Sequence, residues 1–347
     1  MRPKTIQTSE YCTVGHPDRT CDFIASHILD RYLAVDRRSR VALEVQLKDA
    51  HCTISGEVTS NADFDQYDMA DFAREAVREI GYTPEYQERF GGANAICDTD
   101  LEVETHISRQ SGDIAQGVDR DGWGDQGIFW GYAVDDPATG HMPKDHWLAR
   151  EIAQSLVKRG FGGLDAKTQV TVEDGVPVEC VVAIPILPEC EEAAEGTIRN
   201  YVQSMLGGGC RVVVNGTGRY LTHGSIGDCG TTGRKLVADF YGGNSRIGGG
   251  SPWGKDPTKA DVTLNVYARR KALEGMKRYG LPSMQCMVSC RIGSRDIRVA
   301  LLDGENRVVE TYAESEPASH VIETLGLDSP VYAATCRRGL FGYERLG

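Results

Sequence analysis

One pattern recurs three times along this chain: an amphipathic helix followed by two strands close enough to pair. Periodicity predicts a helix over 22–38, strict alternation in Val41-Ala42-Leu43-Glu44-Val45-Gln46-Leu47-Lys48 and, after Asp49-Ala50, a weaker strand through Cys52-Thr53-Ile54. Another helix is expected over 64–80, ended by Gly81. The pattern returns with a helix over 144–159 and strands at 169–172 and 179–184. It returns again with a helix over 261–278 and strands at 284–292 and 296–302. Adjacent strands joined by short turns pair antiparallel, so this order points to α+β architecture and away from a doubly wound parallel sheet. No residue-level repeat accompanies it, which leaves a threefold structural repeat as the expectation.

Length and charge narrow the function. At 347 residues the chain has room for two or three domains at roughly 150 residues each. Its 38 Lys and Arg against 50 Asp and Glu give a net charge of −12, which disfavours non-specific binding to nucleic acid or anionic membrane. No apolar run reaches bilayer length and Met1 to Glu10 lacks a signal-peptide core, so a cytosolic location is expected. Eleven cysteines without a Cys-x-x-Cys pair read as reduced core residues, not as a disulfide framework or zinc site.

The 40 glycines are uneven, densest from Gly207 to Gly254 with a second cluster at Gly117 to Gly131. Between Arg234 and Lys259 lie five basic residues (Arg234, Lys235, Arg246, Lys255, Lys259) and two acids (Asp239, Asp256), in a chain that is otherwise strongly acidic. A basic, glycine-rich island suits a polyphosphate, although a solvated loop with routine lysines gives the same composition. Gly249-Gly250-Ser251-Pro252-Trp253-Gly254-Lys255-Asp256 fits the phosphate-loop spacing except at Asp256, where a hydroxyl is required, and no β-branched strand precedes it. Gly-x-Gly-x-x-Gly and Gly-x-Ser-x-Gly are absent.

A series of blocks is more specific: Thr8-Ser9-Glu10, Gly15-His16-Pro17-Asp18, Gly56-Glu57-Val58-Thr59, Gly124-Asp125-Gln126-Gly127 and Lys167-Thr168-Gln169-Val170-Thr171. They continue with Asn215-Gly216-Thr217-Gly218-Arg219, Gly227-Asp228-Cys229-Gly230-Thr231-Thr232-Gly233-Arg234-Lys235, and Gly248-Gly249-Gly250 leading to Gly254-Lys255-Asp256-Pro257-Thr258-Lys259. In order and spacing these resemble the S-adenosylmethionine synthetase (methionine adenosyltransferase) family, over about Thr8 to Gly342. The resemblance implies three similar α+β domains of mostly antiparallel or mixed sheet with helices, over about 1–112, 122–222 and 223–347. It also implies a homodimer, or a dimer of dimers, with active sites between subunits. The implied substrates are ATP and L-methionine and the implied cofactors Mg²⁺ and K⁺.

By the same resemblance His16, Lys167, Arg234, Lys235 and Lys255 are catalytic. ATP would be held by His16, Asp165, Lys167, Arg219, Tyr220, Asp228, Arg234, Lys235, Ser251 and Lys255, with Tyr220 where the family usually stacks a Phe on adenine. Methionine would be held by Glu57, Gln110, Asp125, Asp228 and Lys259. Asp18 and Asp261 would bind magnesium, yet each also precedes a helix and would serve as an ordinary N-cap. Glu44 would bind potassium, yet it alternates with Leu43 and Val45 like any solvent-facing strand residue.

Several positions depart from the family pattern. Val14 replaces a Glu before Gly-His-Pro-Asp, the gating loop after Gln110-Ser111 is short, Gly163-Leu164 replaces Arg-Pro, and Ile247 stands where His is common. These departures leave room for a catalytically silent relative with a structural or regulatory role. A simple polyphosphatase would fit the basic island but not the amino-acid positions.

Overall fold

Each of the three hairpins forms, and each becomes the middle of a four-stranded sheet in the computed structural model, which describes residues 4–109 and 121–343. Helix α1 (Pro17–Val35) leads into β2 (Arg40–Lys48) and β3 (His51–Thr59), which pair antiparallel. Helix α4 (Lys144–Lys158) leads into β6 (Lys167–Glu173) and β7 (Val176–Ala183), and α6 (Ala260–Tyr279) into β10 (Ser283–Cys290) and β11 (Asp296–Leu302).

The outer strands do not come from the same rounds. The first hairpin gains β4 (Glu102–Ser108), parallel to β3 after helices α2 (Gln66–Ile80) and α3 (Pro84–Arg89), and on its other edge β9 (Gly230–Thr231) from the glycine-rich island. The second gains β8 (Arg211–Val214), parallel to β7 after helix α5 (Glu191–Leu206), and β1 (Ile6–Cys12) from the start of the chain. The third gains β12 (Val308–Ser315) and β5 (Gly127–Val134), both antiparallel to their neighbours. Three of these added strands, β1, β5 and β9, come from distant parts of the chain, so the repeating pattern in the sequence shows the hairpins and not their edges.

Every sheet buries one face beneath its helices. Ile24, Ile28 and Val77 of α1 and α2 meet Leu43, Val45 and Ile54, while Ile152, Leu156 and Ile198 of α4 and α5 meet Val170 and Val182. Leu264, Ala268 and Met276 of α6 meet Val288 and Val299. Each such side chain contributes about 1.5–3 kcal/mol by leaving water, which fixes strand register, since a one-residue slip would expose the whole row. The opposite face of β2 carries Glu44, Gln46 and Lys48 into the open. Nine of the eleven cysteines are buried, Cys229 is half-buried and Cys190 exposed, and all are free thiols. Among the described residues no helix is long and apolar enough to cross a membrane.

Helix α1 begins five residues before the periodicity suggests. Pro17 supplies a preset φ at its first position, and the His16 side chain caps it. Its buried face then includes Asp18, Arg19 and Asp22 among apolar residues, an arrangement that hydrophobic spacing does not reveal.

Candidate functional site

Two helices open onto the glycine-rich loops, α1 and α6, and each carries an aspartate at its second residue. At α1 the imidazole Nδ1 of His16 accepts the Asp18 backbone N–H at 3.2 Å. Asp18 is itself buried. Its Oδ1 accepts the Thr231 backbone N–H at 2.9 Å, its Oδ2 accepts the Lys235 ammonium at 2.5 Å, and the Arg234 guanidinium stands 3.5 Å from Oδ1. Burial, reinforced by Lys235, lowers His16 to about 4, so the ring is neutral near pH 7. With Nδ1 accepting, the neutral ring carries its proton on Nε2.

At α6 the same plan recurs. Asp261 Oδ1 accepts the Gly250 backbone N–H at 2.8 Å, and Oδ2 accepts the Lys255 ammonium at 2.7 Å. The α1 cap is His16, and the α6 cap position is held by Lys259 without a side-chain cap bond. The capping alternative for the two aspartates therefore fails. Their carboxylates reach across to the loops. Lys259 extends to Asp256 Oδ2 at 3.0 Å, and fully buried Asp256 also accepts from the Val41 N–H, the Thr258 N–H and the Thr258 hydroxyl. That explains why Asp256 stands where a phosphate loop would have a hydroxyl: it points inward and pins the loop to β2.

Glycine is required where these loops turn. Gly249 has φ 74°, and a Cβ there would lie 2.7 Å from Asp261 Oδ1. Gly233 has φ 77°, and its Cβ would lie 2.7 Å from the Ser251 Cβ, so the two loops touch at that point.

Around Asp18 the fold also gathers Lys167, Asp165, Tyr220 and Asp228. Lys167 opens β6 opposite Cys12, with its ammonium 3.2 Å from Glu10. Asp165 is buried, its Oδ2 accepts the Gly224 N–H at 2.9 Å, and burial pushes it up to about 6. The Tyr220 hydroxyl donates to the Asp165 carbonyl oxygen at 3.4 Å. Asp228 is exposed and accepts the Cys229 N–H at 2.8 Å, and both it and Lys167 lie close enough to act on the charge of His16.

Near Asp261 lies Glu44, exposed on β2. Although the side chain reaches solvent, partial desolvation by the neighbouring loops raises its carboxyl, and Lys255 and Asp261 are the charges that act on it. Glu44 thus sits on the open face of β2, the face turned toward Lys255. Glu57 is exposed on β3 opposite Ala42, which forms a bridge with Lys255. Asp125 is exposed, and its carbonyl oxygen accepts the Cys290 thiol at 3.3 Å. Arg219 is exposed on the turn before Tyr220. Gln110 and most of the short loop after it lie outside the described residues. Val14, in the family's Glu position, packs against the first core, and its carbonyl accepts the Thr20 hydroxyl at 2.9 Å.

A model of the S-adenosylmethionine synthetase N-terminal domain matches residues 4–112, and one of the C-terminal domain matches residues 222–347. The chain belongs to the S-adenosylmethionine synthetase family. Curated relatives include the S-adenosylmethionine synthase of Nitratidesulfovibrio vulgaris, 33% identical over 97% of this chain and 92% of that protein. The S-adenosylmethionine synthase of Methylobacterium sp. (strain 4-46) is 35% identical over 99% of this chain and 94% of its own. A solved structure described as an unusual S-adenosylmethionine synthetase from Campylobacter jejuni superposes with a TM-score of 0.88 at 27% identity, covering 97% of this chain and 94% of that one.

The donor set suits magnesium in one particular way. Among the described residues no three His, Cys, Asp or Glu side chains cluster as a ligand cage. Asp18 and Asp261 would each offer one hard carboxylate, and Mg²⁺ is commonly held by one or two carboxylates with phosphate oxygens and water completing its shell. The residues fit a metal that arrives with a polyphosphate.

Sequence reasoning passed over Arg19, Asp22, Asp239 and Trp253, which lie behind both loops and join them. The available signal was charge within three or four residues of Asp18 in a stretch otherwise suited to a core.

Proposed function

We propose that this chain is a methionine adenosyltransferase that forms S-adenosylmethionine from ATP and L-methionine. The observation that carries the reading is the twinned arrangement of Asp18 with Lys235 and Asp261 with Lys255, each at a helix start against a glycine turn, within a member of the family. A silent structural relative would have no need of both aspartate–lysine pairs together with a neutral His16, and a polyphosphatase would have no need of Glu57 and Asp228.

In the reaction the methionine sulfur donates a lone pair to the ribose C5′ as the C5′–O bond breaks, and that bonding pair leaves on the triphosphate. Water then cleaves triphosphate to pyrophosphate and phosphate. A neutral thioether needs no base, so the protein's tasks are alignment and stabilisation of the leaving charge. Lys167, Arg234, Lys235 and Lys255 face the triphosphate. His16 donates from Nε2 to the departing oxygen as charge grows there. Asp165, Arg219, Tyr220, Asp228 and Ser251 surround the nucleoside and phosphates, and Glu57, Gln110, Asp125, Asp228 and Lys259 hold the amino acid. Asp18 and Asp261 would hold magnesium, which would supply neutralisation of phosphate charge, and Glu44 would hold potassium.

Without substrate Lys235 and Lys255 are paired to Asp18 and Asp261, so binding exchanges counterions: the two lysines turn to phosphate, and the carboxylates would then be free to hold metal. The two clusters in one chain serve different catalytic sites of a homodimer or dimer of dimers, each site built from the Asp18 cluster of one subunit and the Asp261 cluster of the other. The division into units at about 1–112, 122–222 and 223–347 supports a close-knit chain, because each unit lends one edge strand to another's sheet. The test is incubation with ATP, methionine, Mg²⁺ and K⁺, followed by mass spectrometry. S-adenosylmethionine with pyrophosphate and phosphate is the expected result, and absence of the sulfonium product would overturn the reading.

A further inference from the structure

Behind the two cation-bearing loops lies a buried ionic cluster that the reaction does not use. Arg19, almost fully buried in α1, donates from one guanidinium nitrogen to Asp22 Oδ2 at 3.2 Å and to Asp239, and from the other to the Cys336 carbonyl oxygen at 2.7 Å. The remaining oxygen of Asp22 accepts the Gly233 backbone N–H at 2.8 Å, which anchors the loop that carries Arg234 and Lys235. The remaining oxygen of Asp239 accepts the indole N–H of Trp253 at 2.8 Å, which anchors the loop that carries Lys255. The Arg19 guanidinium also lies over the Trp253 ring, 5.2 Å from its centroid.

Every polar atom of the two carboxylates is thus committed, and the commitments run in opposite directions to opposite loops. Two buried carboxylates against one guanidinium are costly to hold, and burial pushes Asp22 up to about 8. An apolar cluster of the same volume would fill the space at lower electrostatic cost, but it would not aim a backbone N–H on one loop and an indole N–H on the other.

We propose that Arg19, Asp22, Asp239 and Trp253 form a positioning element that rigidly couples the Lys235 loop to the Lys255 loop, so that displacement of one loop moves the other. This rests on the reading above that both loops hold triphosphate. With the loops assigned to different catalytic sites of the dimer, the element also links those sites through hydrogen bonds. None of its side chains is placed against substrate.

The test uses the full-length protein and two variants, read first by hydrogen exchange. Trp253→Phe keeps an aromatic ring beneath Arg19 and deletes the donor to Asp239 together with part of the buried indole volume. Exchange in the segment 229–236, which includes the Gly233 amide, is expected to speed by about fivefold or more although that segment does not touch the deleted atom. Asp22→Asn, which leaves one oxygen where Arg19 and Gly233 each need an acceptor, is expected to speed exchange reciprocally in the segment 250–256, since coupling between two sites acts in both directions. Per folded molecule, kcat should fall by about tenfold in each variant while KM for methionine stays within about twofold, the split expected when alignment in the transition state is lost. Faster exchange confined to the loop nearest each substitution, or an unchanged kcat, would overturn the proposal. The exchange measurement does not depend on the chemistry: a native protein that made no S-adenosylmethionine would refute the function and leave the coupling to be decided by the reciprocal effect.

Discussion

The starts of α1 and α6 use the same elements to different degrees. Both present an aspartate at the second helical position to a backbone N–H and a lysine from a glycine turn. The Asp18 carboxylate is 1% exposed and meets Lys235, Arg234 and a neutral His16, whereas the Asp261 carboxylate is 26% exposed and meets Lys255 alone at close range. Opposite charges separated from water interact more strongly than exposed ones, so the Asp18 end holds its cations tightly and the Asp261 end holds its cation loosely. On the proposed reading, like arrangements at unequal depth present triphosphate with one deeply buried wall and one shallower, wetter wall.

The largest effect should therefore follow substitution at the buried end. Asp18→Asn is expected to lower kcat by about a thousandfold or more, because an unpaired Lys235 and a lost metal ligand both disturb the leaving charge. Asp261→Asn should cost about a hundredfold, as expected for a single electrostatic contact in a wetter setting. Rates of S-adenosylmethionine formation measured side by side would break the comparison if Asp261→Asn proved the more damaging. Gly249→Ala comes next: at φ 74° its methyl would press on Asp261 Oδ1, and about a tenfold fall in kcat is expected with a modest fall in Tm. Retention of the full rate would show that Asp261 need not be held at that spot.

How much of this was legible in the sequence depends on what kind of force places each residue. Hairpins such as β10 with β11 were legible because alternation is set by a buried face, and the 296–302 strand is where periodicity put it. The borrowed strands β1, β5 and β9 were not, since an edge two residues long in β9 is decided by distant pairing with β2 and not by local pattern. Among the site residues, the motif blocks contain His16, Asp18, Lys235 and Lys255, and the resemblance they carry implied Asp261 two residues beyond the last block. They did not reveal that His16 would be the cap and Asp18 would not, because capping depends on where the helix begins. Arg19, Asp22 and Asp239 went unnoticed for a related reason: a buried charge is recognisable only once its partners, which are far away in sequence, are in view.

Two smaller effects sharpen the contrast between buried and open groups. Glu44 lies on the open side near Lys255, so Glu44→Gln should raise the potassium concentration for half-maximal activity by about tenfold and leave KM for ATP within about twofold. Equal activity in potassium and in a bulky organic-cation buffer would remove the role. His223, enclosed by rings of Tyr86 and Phe90, is lowered to about 4 by burial. Because its folded value lies below its unfolded one, charging favours the unfolded chain, and the penalty appears as pH falls from the ordinary value near 6.5 toward 4. Between pH 7 and 5 the penalty amounts to about 2 kcal/mol, so His223→Gln should lose correspondingly less stability than the native protein over that range. Denaturant melts at the two pH values would contradict this if the native and variant proteins changed in parallel.

The claim that unequal halves from two chains make each catalytic site has a direct measurement. Asp18-side and Asp261-side defects are placed in separate subunits, as His16→Ala in one and Lys255→Ala in the other, and the mixed dimer is purified through two different tags. Each parent dimer should be nearly inactive. In the mixed dimer one site receives both defects and the other none, so S-adenosylmethionine formation should return to about half the native rate per dimer. A mixed dimer as inactive as its parents would place both halves of each site within a single chain and contradict the account.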